Sequence, residues 1–309
     1  MKSIRIFLLS VAVASAFTAC VRNDDLNPNS IFDDEEIPVR SQFDRWLLKN
    51  YTDSFNINLI YRYSDRESNN SYNVVPTQED KAIAMAILLR HVWLHAYQEV
   101  MGPDFIKTYS PRVIQLIGSG QYDGTGKETL GVAEGGLKIT LLRVNALTVN
   151  SLYIDVDNPI PDKEHVPMDL NYWFFHTMHH EFCHILTQNK DYTTDFRTVS
   201  VGEYIPSDWY NKSDNEMIPE GFVSAYASSE PNEDFAETYA YYVTHSQKAW
   251  DALLSRAGTE GAAKIKAKFE KVRDYFSDSW GVDLDVLRSV VLRRFSEIPE
   301  LDLKNINLD

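Results

Sequence analysis

The sequence predicts an α+β domain, with strands in its first half and a helical second half. Three observations carry this. Short apolar runs bounded by charge or glycine lie before residue 145. Longer stretches of helical periodicity follow from residue 169. No linker, repeat or low-complexity block interrupts the chain after Ser41, so residues 41–309 read as one domain.

The elements follow in order. Phe55 to Tyr63 alternates and ends in charge, which predicts a strand. Thr77-Gln78-Glu79-Asp80 has the form of a capping box, with Thr77 as the cap. Ala82 to Met101 follows as a long buried helix stopped by Gly102-Pro103. Arg112 to Ile117 and Leu137 to Val144 read as strands, separated by a glycine-rich turn region. One of these two strands is expected to present an open edge. Asp169 to Gln188 reads as a helix, and Tyr192 to Pro219 as irregular chain. Glu230 to His245 reads as a helix with Pro231 in its first turn, where a missing N–H costs nothing. Ala262 to Phe276 and Asp285 to Ile298 complete the helical half. Lys264, Lys266, Lys268 and Lys271 are expected to form a solvated helix face. Gly118-Ser119-Gly120 is no dinucleotide fingerprint, because neither G-x-G-x-x-G nor a helix follows.

Composition removes several functions. The chain has 309 residues, 44% of them hydrophobic, enough for a full core. Asp and Glu number 45 against 30 Lys and Arg, a net charge of −15. That balance excludes nucleic acid as a partner and docking on anionic lipid by charge alone. Two cysteines exclude a multi-disulfide scaffold and a four-thiolate zinc site.

Residues 1–19 read as an address. Lys2 and Arg5 precede an apolar run, Ile6 to Ala16, which is too short to span a bilayer. Phe17-Thr18-Ala19-Cys20 then resembles a bacterial lipobox, with Cys20 as the lipidated first residue of the mature chain. Residues 20–40 read as lipid anchor and acidic tether, rich in Asp, Glu, Asn and Pro and too poor in apolar surface to fold. Acidic residues soon after the lipidated Cys also resemble surface-export signals of some Gram-negative lipoproteins, with a solvated spacer as the equal alternative. The expected location is the outer membrane, on its periplasmic face or at the cell surface.

Chemistry concentrates in His180-Glu181-Phe182-Cys183-His184, an H-E-x-x-H inside an uninterrupted helical pattern. Residues four apart share a helix face about 6 Å apart along the axis. Two imidazoles so placed reach one Zn²⁺, and Glu181 beside them serves as general base. Cys183 points off that face and is read as a small buried residue. A third ligand is needed. Thr187 and Lys190 stand where H-E-x-x-H-x-x-G-x-x-H requires Gly and His, so that class is out. His176 and His184 are too far apart on one helix to share an ion, so His176 and His179 are expected to hydrogen-bond elsewhere. Glu233 and Glu237 share one face of the later helix. One can ligate while the other accepts from a ligand imidazole, and spacing does not choose between them.

H-E-F-C-H, then G-F-V-S-A-Y-A from Gly221 to Ala227, then E-D-F-A-E resembles the gluzincin type of zinc metallopeptidase. With the lipoprotein start, the chain resembles more closely the substrate import-associated zinc metallohydrolase lipoproteins, a metallopeptidase family linked to outer-membrane nutrient uptake. The resemblance implies a zincin-like fold, with a mixed sheet lobe packed on the H-E-x-x-H helix and a helical C-terminal lobe. It implies Zn²⁺ held by His180, His184 and Glu233, with Glu181 as base. Glu237 would stand behind His180, and Tyr226 would stabilise the oxyanion. Peptides or proteins are then the substrates and an outer-membrane import complex a partner. A zinc-containing binding accessory and a metallo-amidase are the alternatives.

Overall fold

Ser41 and Asp44 start the first helix by bonding each other's backbone. Ser41 Oγ accepts from the Asp44 N–H at 3.1 Å, and Asp44 Oδ2 from the Ser41 N–H at 2.9 Å. This computed structural model describes residues 40–64, 67, 72–122, 128–129, 131–134 and 137–308. The signal-peptide reading of 1–19, the lipidated Cys20 and the tether to residue 39 lie outside the described residues.

Helix α1 (Gln42–Leu47) runs into a π-helical turn, Leu48–Asp53. Strand β1 is Asn58–Ile60, shorter than the expected 55–63 because residues 54 and 55 still belong to the preceding helical stretch. The long buried helix is α2 (Glu79–Leu89), a π-helical turn Arg90–Leu94, and α3 (His95–Met101). Its expected cap fails. Gln78 is the cap residue without a side-chain bond, and the Gln78 N–H donates instead to Asn145 Oδ1 at 2.8 Å. Helix α4 (Pro103–Tyr109) leads to β2 (Val113–Leu116). The glycine-rich region contains three short strands, β3 (Gln121–Tyr122), β4 (Glu128–Thr129) and β5 (Gly131–Glu134), before β6 (Lys138–Leu141).

The main sheet has the order β1-β2-β6-β5. The first three strands are parallel, with Leu59 opposite Ile114 and Ile114 opposite Ile139. β5 pairs antiparallel with β6, Ala133 opposite Ile139. All four residues of β6 are buried, as a central strand covered on both faces requires. β2 and β6 are therefore interior, and the expectation that one of them offers an edge is corrected: the edges are β1 and β5.

The second half is helical. A π-helical turn, Asn171–Phe175, feeds α5 (His176–Asn189). Short turns and α6 (Asp214–Met217) occupy the irregular stretch. Then come α7 (Pro231–Thr244), α8 (Gln247–Trp280) and α9 (Leu284–Glu297). α8 begins well before the expected residue 262 and bends at Gly258, whose φ of 66° favours glycine. Three residues on, a Cβ at Gly261 would stand 2.5 Å from the Pro219 carbonyl oxygen, so glycine lets α8 lie directly on that backbone.

α5 and α7 pack against each other and carry the H-E-x-x-H and E-D-F-A-E motifs between them. Asn171 ties their ends, its Nδ2 donating to the carbonyls of Asp155 (3.0 Å) and Thr244 (3.1 Å). On its core side α5 sets Phe182 edge-on against Trp93 and Tyr97, ring centres 5.2 and 4.8 Å away. Among the described residues no helix is long and apolar enough to cross a membrane.

Candidate metal centre

The core face of α5 fixes where its polar face looks. Met178, Phe182 and Cys183 are fully buried, and Cys183 is inert there because burial pushes its thiol well above the usual range. His179 shares this side. Its Nδ1 lies 2.8 Å from the Tyr97 hydroxyl, and burial pulls its pKa down to about 3. Tyr97 in turn meets the Tyr239 hydroxyl of α7 at 2.5 Å.

On the opposite side His180 and His184 turn toward α7. His180 Nε2 lies 2.9 Å from Glu233 Oε2, His184 Nε2 lies 3.2 Å from the same oxygen, and the two nitrogens are 3.0 Å apart. Three donors at about 2.0–2.1 Å from one tetrahedral ion stand roughly 3.3 Å from each other. The triangle is close to that size, and two imidazoles with a carboxylate make a donor set that zinc favours. The residues thus fit the ion.

Glu237 stands one helical turn beyond Glu233, behind His180. Its Oε1 lies 2.8 Å from His180 Nδ1 and 2.8 Å from His176 Nε2. Its Oε2 accepts from Ser224 Oγ at 2.6 Å. His176, His180 and Glu237 form a second group with metal-ligand atoms close together. His176 and His179 thus both find partners off the first triangle, as expected. His176 does so through Glu237, which the sequence did not foretell.

Glu181 and Tyr226 face the same cleft, which encloses about 490 Å³. Burial raises the Glu181 pKa above the usual carboxylate range, against the pull of His180 and His184. Tyr226 is 37% exposed, with its ring centre 5.7 Å from that of His180 and 4.8 Å from that of Trp209. Burial of its phenol, then the neighbouring Glu233 carboxylate, pushes its pKa far up, so it stays protonated. Ser224 sets the turn that carries it: Ser224 Oγ accepts the Ala227 N–H at 3.1 Å while donating to Glu237.

The sequence profile of a family described as "Putative zinc-binding metallo-peptidase" matches residues 36–285. The chain belongs to this family. The crystal structure of a protein described as "a putative zinc-binding metallo-peptidase", from Bacteroides caccae, is similar to it with a TM-score of 0.71 and 44% identity, over 90% of this chain and all of that one. No curated protein matches the chain. Zinc is the metal the family's description gives, and both donor groups on α5 and α7 consist of residues that can hold it.

One contact corrects the sequence reading of α8. Lys268 is no solvated residue: it is 1% exposed, with Nζ 2.7 Å from the fully buried Asp234. The same ammonium donates to the Gly221 carbonyl at 2.8 Å, and the Tyr204 hydroxyl donates to Asp234 Oδ2 at 2.9 Å. Asp234 follows Glu233 directly, so this buried cluster fixes the turn of α7 that carries the carboxylate of the triangle.

Proposed function

We propose that the chain is a zinc-dependent peptidase of the gluzincin type with a zincin-like arrangement of its H-E-x-x-H helix. The observation that carries this reading is the triangle of His180, His184 and Glu233 with Glu181 beside it in an open cleft. Of the two donor groups, that triangle holds the metal. Glu237 instead accepts from His176 and stands 2.8 Å from His180 Nδ1, where its charge steadies the His180 ring. Zinc bound there supplies a Lewis acid for the scissile carbonyl and lowers the pKa of water.

The chain's own residues do the rest. Glu181, with its raised pKa, accepts a proton from the attacking water and passes it to the leaving amine. The protonated Tyr226 phenol donates to the carbonyl oxygen as negative charge gathers on it. β5 lies beside α5 at the edge of the sheet, and an extended substrate can add to it as a further strand.

Metal analysis and digestion of a mixed peptide library test this. We expect about one zinc per chain, hydrolysis abolished by a chelator and restored by zinc. Zinc without cleavage of any library member would favour the binding accessory of an import complex.

The F-T-A-C junction supports attachment to the outer membrane through Cys20, and with it a role in nutrient import. Cys20→Ala should lose acyl labelling and leave the membrane fraction. Unchanged partition would refute the anchor.

A further inference from the structure

The cleft does not end at the metal centre. From His180 and Glu181 it continues along the N-terminal turns of α5, past His176 and Tyr172, to a floor formed by Asp169, Tyr241 and His245. None of these floor residues has a part in the proposed hydrolysis.

His245 is held as a fixed acceptor. It is 6% exposed, and its ring stacks on Tyr241 at 4.1 Å and 4°. Its Nδ1 lies 3.0 Å from the Tyr241 carbonyl, an acceptor only, so Nδ1 carries the proton. Nε2 is then a lone pair, and no described group partners it. Burial, then the nearby His176, holds the pKa down to about 3, so the ring is neutral. Arg288 fixes the backbone, its Nε donating to the His245 carbonyl at 2.7 Å.

Asp169 is the second acceptor. It is 2% exposed, and its Oδ1 takes the N–H groups of Asp155 and Asn171, each at 3.0 Å. Burial first pushes its pKa up to about 6; backbone amides lower it and the Asp155 carboxylate raises it, and none of these neighbours is a cation. Two lysines line the cleft, Lys212 and Lys163, the latter engaged by Asp214 at 3.7 Å and lying over the Tyr172 ring at 5.4 Å.

Depth selects length. The ring centre of His176 lies 6.4 Å from that of His180 and 6.3 Å from that of His245. A small side chain whose Cα sits beside His176 stops short of His245. The stem of a lysine reaches about 6 Å beyond its Cα, and arginine slightly more, about the length of the second step. Tyr172 and Tyr241 offer the apolar walls such a stem needs.

We infer that this recess, in the peptidase proposed above and resting on that reading, is the pocket for a lysine or arginine side chain flanking the scissile bond, with His245 and Asp169 as its acceptors. The first test is cleavage-site sequencing of a mixed peptide library. Basic residues should be enriched about tenfold or more over leucine at one flanking position. Hydrolysis without that enrichment overturns the pocket and leaves the peptidase standing. The second test needs no turnover. Calorimetry of zinc-loaded Glu181→Gln protein should show blocked Ala-Ala-Arg-Ala-Ala binding about tenfold or more tighter than its norleucine twin, a ratio that His245→Leu brings close to one. Equal binding of the twins, or an unchanged ratio in folded His245→Leu protein, overturns the assignment. Should His245→Leu fail to fold, the twin ratio in the parent background decides alone.

Discussion

Glu181→Gln should keep its zinc and lose about 10²–10⁴-fold or more in hydrolysis. The substitution preserves shape and leaves the triangle of His180, His184 and Glu233 untouched. What disappears is a carboxylate that lines the cleft next to His180 and, unlike Glu233 and Glu237, is not engaged by an imidazole of the site. An amide cannot take up the proton of the attacking water, nor return it to the amine. Metal content by elemental analysis and turnover of one defined peptide measure the two halves. Parent-like hydrolysis would remove Glu181 from the mechanism; loss of zinc would make it part of the metal's support.

Glu233→Ala and Glu237→Ala should part company just as sharply. Removing Glu233 leaves two imidazoles, too few protein ligands for a tight site, so the variant should be isolated largely without zinc. Removing Glu237 keeps the three donors and frees the His180 ring, at a cost of about 10–100-fold in affinity or activity. His176 and Ser224 would also lose their shared acceptor. Competition against a chelator of known affinity ranks the two. The reverse ranking would move the third ligand to Glu237 and the metal to the His176, His180, Glu237 group.

The parts of the chain that could be read in advance are those whose pattern is local. α5 and α7 declare themselves through periodicity, the Pro231 start and paired residues four apart. β2 and β6 declare themselves through short apolar runs. Even some local signals go unread. Ser41-x-x-Asp44 has the pattern of a capping box, yet α1 was not expected from it, whereas the box-like Thr77 caps nothing. What cannot be read is what depends on a distant partner. β5 exists because β6 pairs with it. Lys268 falls in a lysine stripe and is buried only because Asp234 meets it from another helix. Ser224 and His176 gain their roles through one oxygen pair on Glu237. His245 becomes an acceptor at Nε2 only because its Nδ1–H donates to the Tyr241 carbonyl.

The Lys268–Asp234 pair makes α8 a splint for the proposed metal site. Whatever bends or displaces that long helix pulls on the residue next to Glu233, so the remote C-terminal half is mechanically in series with that site. A chain ended at the Gly258 bend would retain every proposed ligand in its sequence. It would nevertheless leave the Asp234 charge alone in the core, a loss of about 3–5 kcal/mol by the usual cost of orphaning one partner of a buried pair. The boundary of the proposed enzyme is therefore set by a lysine that lies outside its cleft.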